Sequence, residues 1–207
     1  MPSKKTPDWT PLAQKSLLET LRLKDNYTYL HGIRVSKLAK KMAEELKLSP
    51  KEQQIIERAA LFHDIGKIAI SNEILCKPSK LTPNEFETMK KHPEFGVEIL
   101  KPLATEPHFE VILPGILHHH ERIDGKGYPH GLAGEEIPLC ARVILVVDAF
   151  DAMTTSRPYR EKLSHQTAYQ ELKLFSGTQF DASLVELFLE KHCTWEQDAH
   201  EQPIKRA

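Results

Sequence analysis

Apolar positions along the chain recur at spacings of three and four, and no stretch of strand length alternates with period two, so the pattern predicts an all-α domain. Between Asn26 and Leu48 the apolar or small residues Leu30, Val35, Leu38, Ala39, Met42 and Leu46 form one stripe, with lysines and glutamates between them. That is the signature of an amphipathic helix. Ser49-Pro50-Lys51-Glu52 then offers a serine N-cap, a proline in the first turn and a glutamate three residues on, just before Ile55, Ile56, Ala59, Ala60 and Phe62. These are helix-start signals. Thr82-Pro83-Asn84-Glu85 repeats them before Phe86 and Met89, and a looser start at Pro107 leads into Val111, Ile112, Ile116 and Leu117.

The helical pattern fails from Glu121 to Pro138, where Gly125, Gly127, Gly131 and Gly134 alternate with Pro129 and Pro138. A loop of that length is usually functional or disordered, and its aromatic and glycine content favours an ordered, functional one. The run from Ala141 to Met153 is apolar on nearly all sides. A buried strand is the rival reading, but thirteen residues with Ala149, Ala152 and Met153 extending the pattern favour a central buried helix. Two more helices are expected over Ser164 to Phe175 and Asp181 to His192, with Ser176-Gly177 as the stop between them. Residues 1–10 and 197–207 read as flexible ends around one domain over residues 11–196.

The length of 207 residues suits one domain with a proper core. With 28 Lys+Arg against 29 Asp+Glu, the formal net charge is −1. That balance removes the long-range electrostatic case for a nucleic-acid polymer or an anionic membrane as partner, while leaving room for a local basic cleft. Cys76, Cys140 and Cys193 lie far apart with no Cys-x-x-Cys pair, which speaks against a disulfide framework and a zinc knuckle. The polar N-terminus lacks an apolar signal region and no spanning segment follows, so the chain reads as cytoplasmic.

The 11 histidines are the unexplained feature of the composition. His63-Asp64 closes an apolar helix; alone, such a pair is ordinarily a hydrogen-bonded structural one. It is not alone. His31 lies in line with Val35 and Leu38, His92 precedes Pro93 at a helix junction, His118-His119-His120 close another helix, and Asp148 sits in the buried one. Besides Asp64 these provide six ligands, counting two of the three consecutive histidines, which is more than one ion with an open position needs. Two ions fit better, with a carboxylate such as Asp64 as bridge, and a metal pair suits phosphoryl chemistry. Imidazole and carboxylate without thiolate are compatible with iron, manganese, zinc or nickel. His108, His130, His165, His192 and His200 stand in polar or terminal contexts and read as surface residues.

His63-Asp64-Ile65-Gly66-Lys67, His92-Pro93 with Gly96, His119-His120-Glu121-Arg122, Asp124-Gly125 and Gly127-Tyr128-Pro129 resemble the HD-GYP family of HD phosphohydrolases. The likeness continues through Gly131-Leu132, Ile137-Pro138, Ala141-Arg142, Asp148-Ala149-Phe150-Asp151-Ala152 and Arg157-Pro158-Tyr159-Arg160, covering roughly Leu21 to Leu189. The resemblance implies a helical HD-domain bundle with additional C-terminal helices, and metal-dependent hydrolysis of cyclic di-GMP to the linear dinucleotide or GMP. It also implies the ligand set His31, His63, Asp64, His92, His119, His120 and Asp148, with Asp64 bridging two divalent ions, iron or manganese. Some members add a glutamate four residues before the first ligand histidine and hold a third metal; this chain has Tyr27 there, so a binuclear site is expected.

For the chemistry, Asp64 and Lys67 are the expected catalytic residues, the hydroxide needed near neutral pH coming from metal-acidified water. Lys67 is expected to place its charge on a non-bridging phosphate oxygen; a helix C-terminal charge is its bland alternative. Arg157 and Arg160 would clamp the second phosphate or stack on a guanine, against a surface-pair alternative. Tyr128 would border the substrate cleft or dock a diguanylate cyclase domain. Two rival readings stand beside hydrolysis of cyclic di-GMP: a noncatalytic receptor or docking module that keeps the fold, and an HD phosphohydrolase acting on another cyclic dinucleotide or nucleotide. No sensor or receiver domain of the kind common in the family is recognisable in these residues, so regulation comes from elsewhere or the chain is part of a longer one.

Overall fold

The computed structural model describes residues 10–104, 107–156 and 161–201, with side chains over 11–104, 109–156 and 161–195. Eleven α-helices run through these residues: α1 (Thr10–Lys24), α2 (Asn26–Glu45), α3 (Pro50–Phe62), α4 (Asn72–Leu75), α5 (Pro83–Met89), α6 (His92–Leu100), α7 (Pro107–Glu110), α8 (Leu113–His118), α9 (Leu139–Thr154), α10 (His165–Leu174) and α11 (Ala182–Glu201). The described residues contain no strand, only two isolated β-bridges. The all-α expectation holds.

Local chemistry explains the element starts. Ser49 accepts from the Glu52 amide while Glu52 reaches back to the Ser49 amide, and Thr82 and Glu85 do the same for α5. Each capping box satisfies two backbone donors that a helix start leaves open. Asp25 caps α2 by accepting from the amides of Tyr27 and Thr28. The helix expected from Pro107 is divided into α7 and α8, and Pro114 supplies the reason. Its ring has no N–H to continue the ladder and collides with the carbonyl four residues back, so a new helix begins around it. At the other end α11 continues to Glu201, past Gln197 where the sequence placed the start of a loose tail.

The core sits where α2, α3, α8 and α9 meet. Val35, Ala39, Met42 and Ala43 of α2 face Ile56, Ala59, Ala60 and Phe62 of α3, and α9 contributes Val143, Ile144, Val146 and Val147. All are essentially inaccessible to water, and each large one contributes about 1.5–3 kcal/mol by burial. Leu30 is an exception to the expected stripe: it is 45% exposed, and His31 and Gly32 take the inward face beside it. His192, expected at the surface, is 4% exposed among Phe150, Phe188 and Trp195, with its Nδ1 2.8 Å from the Tyr169 hydroxyl. A partnered imidazole packs there as an aromatic ring, which its sequence context could not reveal.

Ile65–Ala69 forms a single 3₁₀ segment after α3 and packs against α6. Gly66 permits this approach: a Cβ there would stand 1.9 Å from the His92 carbonyl oxygen and 2.4 Å from the Gly96 amide nitrogen. Both obstacles are backbone, so neither can rotate away. Gly66→Ala is therefore expected to lower stability by about 1–3 kcal/mol, the ordinary cost of overpacking, and the melting temperature by roughly 2–12 °C. Thermal unfolding followed by circular dichroism checks this; an unchanged midpoint would mean that the contact between the two segments is loose.

Candidate metal centre

Three helix ends deliver three histidines. His63 follows α3, His92 opens α6 directly after α5, and His119 follows α8. Each places its Nδ1 against a carbonyl three residues back: Ala60 O at 2.6 Å, Met89 O at 2.8 Å and Ile116 O at 2.7 Å. A nitrogen beside a carbonyl must carry the proton and donate, so the neutral ring keeps its lone pair on Nε2. His63 Nε2 and His92 Nε2 are thereby turned toward Asp64, and His119 Nε2 toward His92 Nε2.

Asp64 is 3% exposed and lies between two groups. His31, His63 and Asp64 offer ligand atoms within 4.8 Å of one another, and so do His92, His119 and His120. Asp64 Oδ1 is 3.2 Å from His92 Nε2, while its Oδ2 faces His63 Nε2 at 3.4 Å and His31 Nε2 at 3.8 Å. Its two oxygens thus address different groups. Asp148, from the middle of α9, puts Oδ1 2.9 Å from His31 Nε2 and 4.0 Å from His63 Nε2. The seven residues singled out as ligands from the sequence are assembled in one place; His118, the first of the three consecutive histidines, turns elsewhere.

Two observations test whether cations fit. His63 Nε2 is buried with no hydrogen-bond partner, an arrangement that costs about 1–3 kcal/mol if nothing binds it. His92 Nε2 and His119 Nε2 face each other at 3.1 Å although both rings have already committed their Nδ1 protons to carbonyls. Two lone pairs at that distance repel unless a cation or a shared proton lies against them. Burial holds His92 down to about 3 and His120 down to about 4, and pushes His119 well below the usual imidazole value. Neutral imidazoles with the far nitrogen anchored are the form in which histidine binds metals. The donor set fits divalent ions.

His31 is set differently. Its Nδ1 donates to Asp151 Oδ2 at 2.7 Å and its Nε2 to Asp148 Oδ1 at 2.9 Å. Burial alone would depress this imidazole, but the hydrogen bonds to Asp148 and Asp151 outweigh it and hold it up at about 9. Asp151 in turn receives a two-point bond from Arg34, at 2.7 and 2.9 Å. Asp148 and Asp151 sit three apart on α9, so one face of that helix presents both carboxylates, the first to the site and the second behind His31. Asp151 has the most evident positioning role that sequence reasoning left unassigned, and its i, i+3 spacing from Asp148 was the available signal. Burial would raise Asp64, yet Lys67, His63 and His92 hold it well below the usual carboxylate range.

The remaining sequence-predicted residues surround a cleft of about 750 Å³, within the range typical of small-molecule sites. Lys67 lines it, with Nζ 2.6 Å from Asp64 Oδ2. Tyr128 stacks on His120 with ring centroids 4.8 Å apart and also lines the cleft, as does Tyr27, which stacks on His31 at 6.3 Å. Gly127 makes the loop's turn possible, because a Cβ there would meet Arg122 N and Glu121 Cα at 2.4 Å. Glu121, named in the motif without a role, anchors the loop by accepting from the His130 and Leu132 amides at 2.7 and 3.1 Å. Arg157 and Arg160 lie outside the described residues.

A helical bundle with a His-Asp pair at a helix end, surrounded by histidines from neighbouring helices, is the arrangement of an HD domain. The chain belongs to the HD domain family, whose model matches residues 12–184, and its motifs are those of the HD-GYP type. It is 42% identical over 182 residues to the cyclic di-GMP phosphodiesterase response regulator RpfG of Xanthomonas campestris pv. campestris, covering 87% of this chain and 48% of that protein. It is 35% identical over 175 residues to the 3'3'-cGAMP-specific phosphodiesterase 2 of Vibrio cholerae serotype O1, covering 84% of this chain and 33% of that one. Among solved structures, Bd1817, an HDG"Y"P protein from Bdellovibrio bacteriovorus, shares the fold with a TM-score of 0.62 at 23% identity, over 79% of this chain and 51% of that one. The chain spans about half or less of the length of these curated relatives. No helix among the described residues is long and apolar enough to cross a membrane.

The two populations of histidine lead to a measurable proton balance. In metal-free protein His31 is expected to titrate near 9 while His92 and His120 stay neutral down to about 3 and 4. The folded value of His31 is raised, so its contribution to stability is complete below about 6.5 and is lost as pH rises through about 9. Metal uptake at pH 7 must then displace the His31 Nε2 proton, and about one proton per chain is released. Calorimetry of metal binding in buffers of different ionisation enthalpy counts that proton; a heat that does not depend on the buffer contradicts the assignment.

Proposed function

We propose that the chain is a metal-dependent phosphodiesterase that opens cyclic di-GMP to the linear dinucleotide and, where turnover continues, to GMP. The observation that carries this reading is the set of anchored imidazoles whose free Nε2 atoms gather around Asp64 and His92, two residues that line a cleft of about 750 Å³. His31, His63, Asp64 and Asp148 would hold one divalent ion and His92, His119, His120 and Asp64 the other. Iron or manganese is the proposed pair, in keeping with the HD-GYP resemblance. The ions supply polarisation of the phosphodiester and a nucleophile at neutral pH.

The chain's own residues then orient and stabilise. Asp64, kept ionised by its neighbours, addresses both ligand groups at once. Lys67 holds a positive charge 2.6 Å from Asp64 on the cleft side, where a non-bridging phosphate oxygen gains negative charge in the transition state. Tyr128 is suited to donate: burial first, then the Asp64 and Asp148 charges, push its phenol up, so it stays protonated. Its stacking against His120 supports a substrate-bordering role over the docking of a diguanylate cyclase domain. Arg157 and Arg160, a few residues beyond α9, are proposed to clamp the second phosphate or stack on a guanine. Tyr27 in the position of a family glutamate supports two ions rather than three. The three unpaired cysteines support a reducing compartment, the cytoplasm.

A specific observation supports a second substrate: the Vibrio cholerae relative is named for 3'3'-cGAMP. Purified protein with its metals counted by elemental analysis should be incubated with cyclic di-GMP and with 3'3'-cGAMP, the products being separated by chromatography. Faster cleavage of cyclic di-GMP is expected, and the reverse order would favour the second reading. Tight binding of cyclic di-GMP without turnover in the iron or manganese form would favour a receptor.

Two substitutions separate the roles. Asp64→Ala is expected to abolish turnover and to lower bound metal, since both ligand groups lose a donor; full activity with full metal content would exclude it as the bridge. Lys67→Ala should keep the metal content and lower kcat by roughly 10²–10³, the usual cost of removing one donor to a developing charge. For Asp151→Asn, weakened orientation of His31 should reduce metal affinity about 10–100-fold with the fold retained, as competition against a chelator would show.

A further inference from the structure

A second cluster of ligand-bearing side chains stands apart from the cleft. His118 closes α8, Glu121 follows one turn later, and His130 arrives from the loop beyond Pro129. Each offers a ligand atom within 4.8 Å of the other two, and none of the three lines the cleft. The rings of His118 and His130 face each other with centroids 5.3 Å apart.

Two further observations point to a cation. His118 Nδ1 is buried and has no hydrogen-bond partner, one of two such side-chain atoms among the described residues; the other is His63 Nε2 in the metal centre. Its nearest carboxylate oxygen, Glu121 Oε1, stands at 3.6 Å, beyond hydrogen-bond reach. Bonds of 2.0–2.1 Å in a tetrahedron separate two ligand atoms by about 3.4 Å, so the gap matches the spacing of two atoms sharing an ion. Glu121 itself is 1% exposed, and no Lys or Arg pairs with it among the described residues. A buried carboxylate without a cationic partner is costly. Its oxygens each accept one backbone amide, from His130 and Leu132, and each has a lone pair to spare.

We propose that His118 Nδ1, Glu121 Oε1 and the His130 imidazole form a separate transition-metal site, with zinc the ion best matched to two imidazoles and a carboxylate. Three protein ligands leave a fourth position to water on the side where His130 is exposed. The ion would tie the loop bearing Tyr128 to the end of α8, which also bears His119 and His120. It is distinct from a third ion at the cleft position occupied here by Tyr27, and it does not depend on which dinucleotide the cleft takes.

The test uses the protein with its resident metals and the His130→Ala variant, whose altered side chain is exposed on a loop. Both are dialysed against the same buffered free zinc, and zinc, iron and manganese are counted per chain. Wild type is expected to take up about one zinc more than the variant, with equal iron and manganese in the two proteins. His130→Cys should restore the extra ion, because thiolate also ligates zinc. Zinc should slow amide hydrogen exchange across residues 124–134 in wild type and leave it unchanged in His130→Ala. Equal zinc counts in wild type and His130→Ala overturn the site. So does a wild-type zinc count that rises only as iron or manganese falls, which would report exchange in the cleft.

Discussion

A histidine ring can present one nitrogen to a buried centre only if the other is held, and in this protein the holding groups are the last carbonyls of helices. Ala60, Met89 and Ile116 each lie in the final turn of α3, α5 or α8, where the backbone leaves acceptors without an intrahelical partner. His63, His92 and His119 supply the missing donors. The same bonds satisfy the helix ends and fix the imidazole tautomers, so the candidate metal centre and the termination of three helices are one structural event. Helix C-termini also carry partial negative charge, which favours cations gathered among them.

Geometry elsewhere follows from that requirement. The ends of α3, α5 and α8 must meet, and the Ile65–Ala69 segment must pass tightly against α6 for Asp64 to stand between the two groups of histidines. Gly66 permits the passage. From the opposite side α9 contributes Asp148 to the centre and Asp151 to the rear of His31, where Arg34 balances the added charge. His31 therefore differs from the other proposed ligands in kind: carboxylates on both its nitrogens favour its protonated form. Charge in the site is carried by a few buried groups in contact, which is why the near-neutral total of the chain says little about the cleft.

Much of the helical architecture was legible because its causes are local. The capping boxes at Ser49 and Thr82, the stripe of α2 and the all-round apolar run of α9 each need only neighbouring residues to act. The Pro114 division of α7 from α8 and the full length of α11 were not read, although the proline carried the first. Leu30 and His192 exchanged their expected places, exposed and buried, because facing elements rather than local context decide burial. Among the site residues, the seven that the HD-GYP resemblance implies as ligands were legible through ordered motifs and lie together in the fold, while the role of Asp151 and the positions of His118 and His130 were not legible.

Residue types at each position, and hence which helices form and which groups are able to bind a cation, were determined by the sequence alone. Tertiary structure decided which of them meet. Grouping of His119 and His120 with His92, and of His118 with Glu121 and His130, depends on where α8 ends and how the chain turns there. Assignment of one Asp64 oxygen to each histidine group, and of Asp148 rather than Asp151 to the centre, depends on helices whose residues are tens of positions apart. Hydrogen bonds and ion contacts act over a few ångströms, and only folding brings such distant positions within that range.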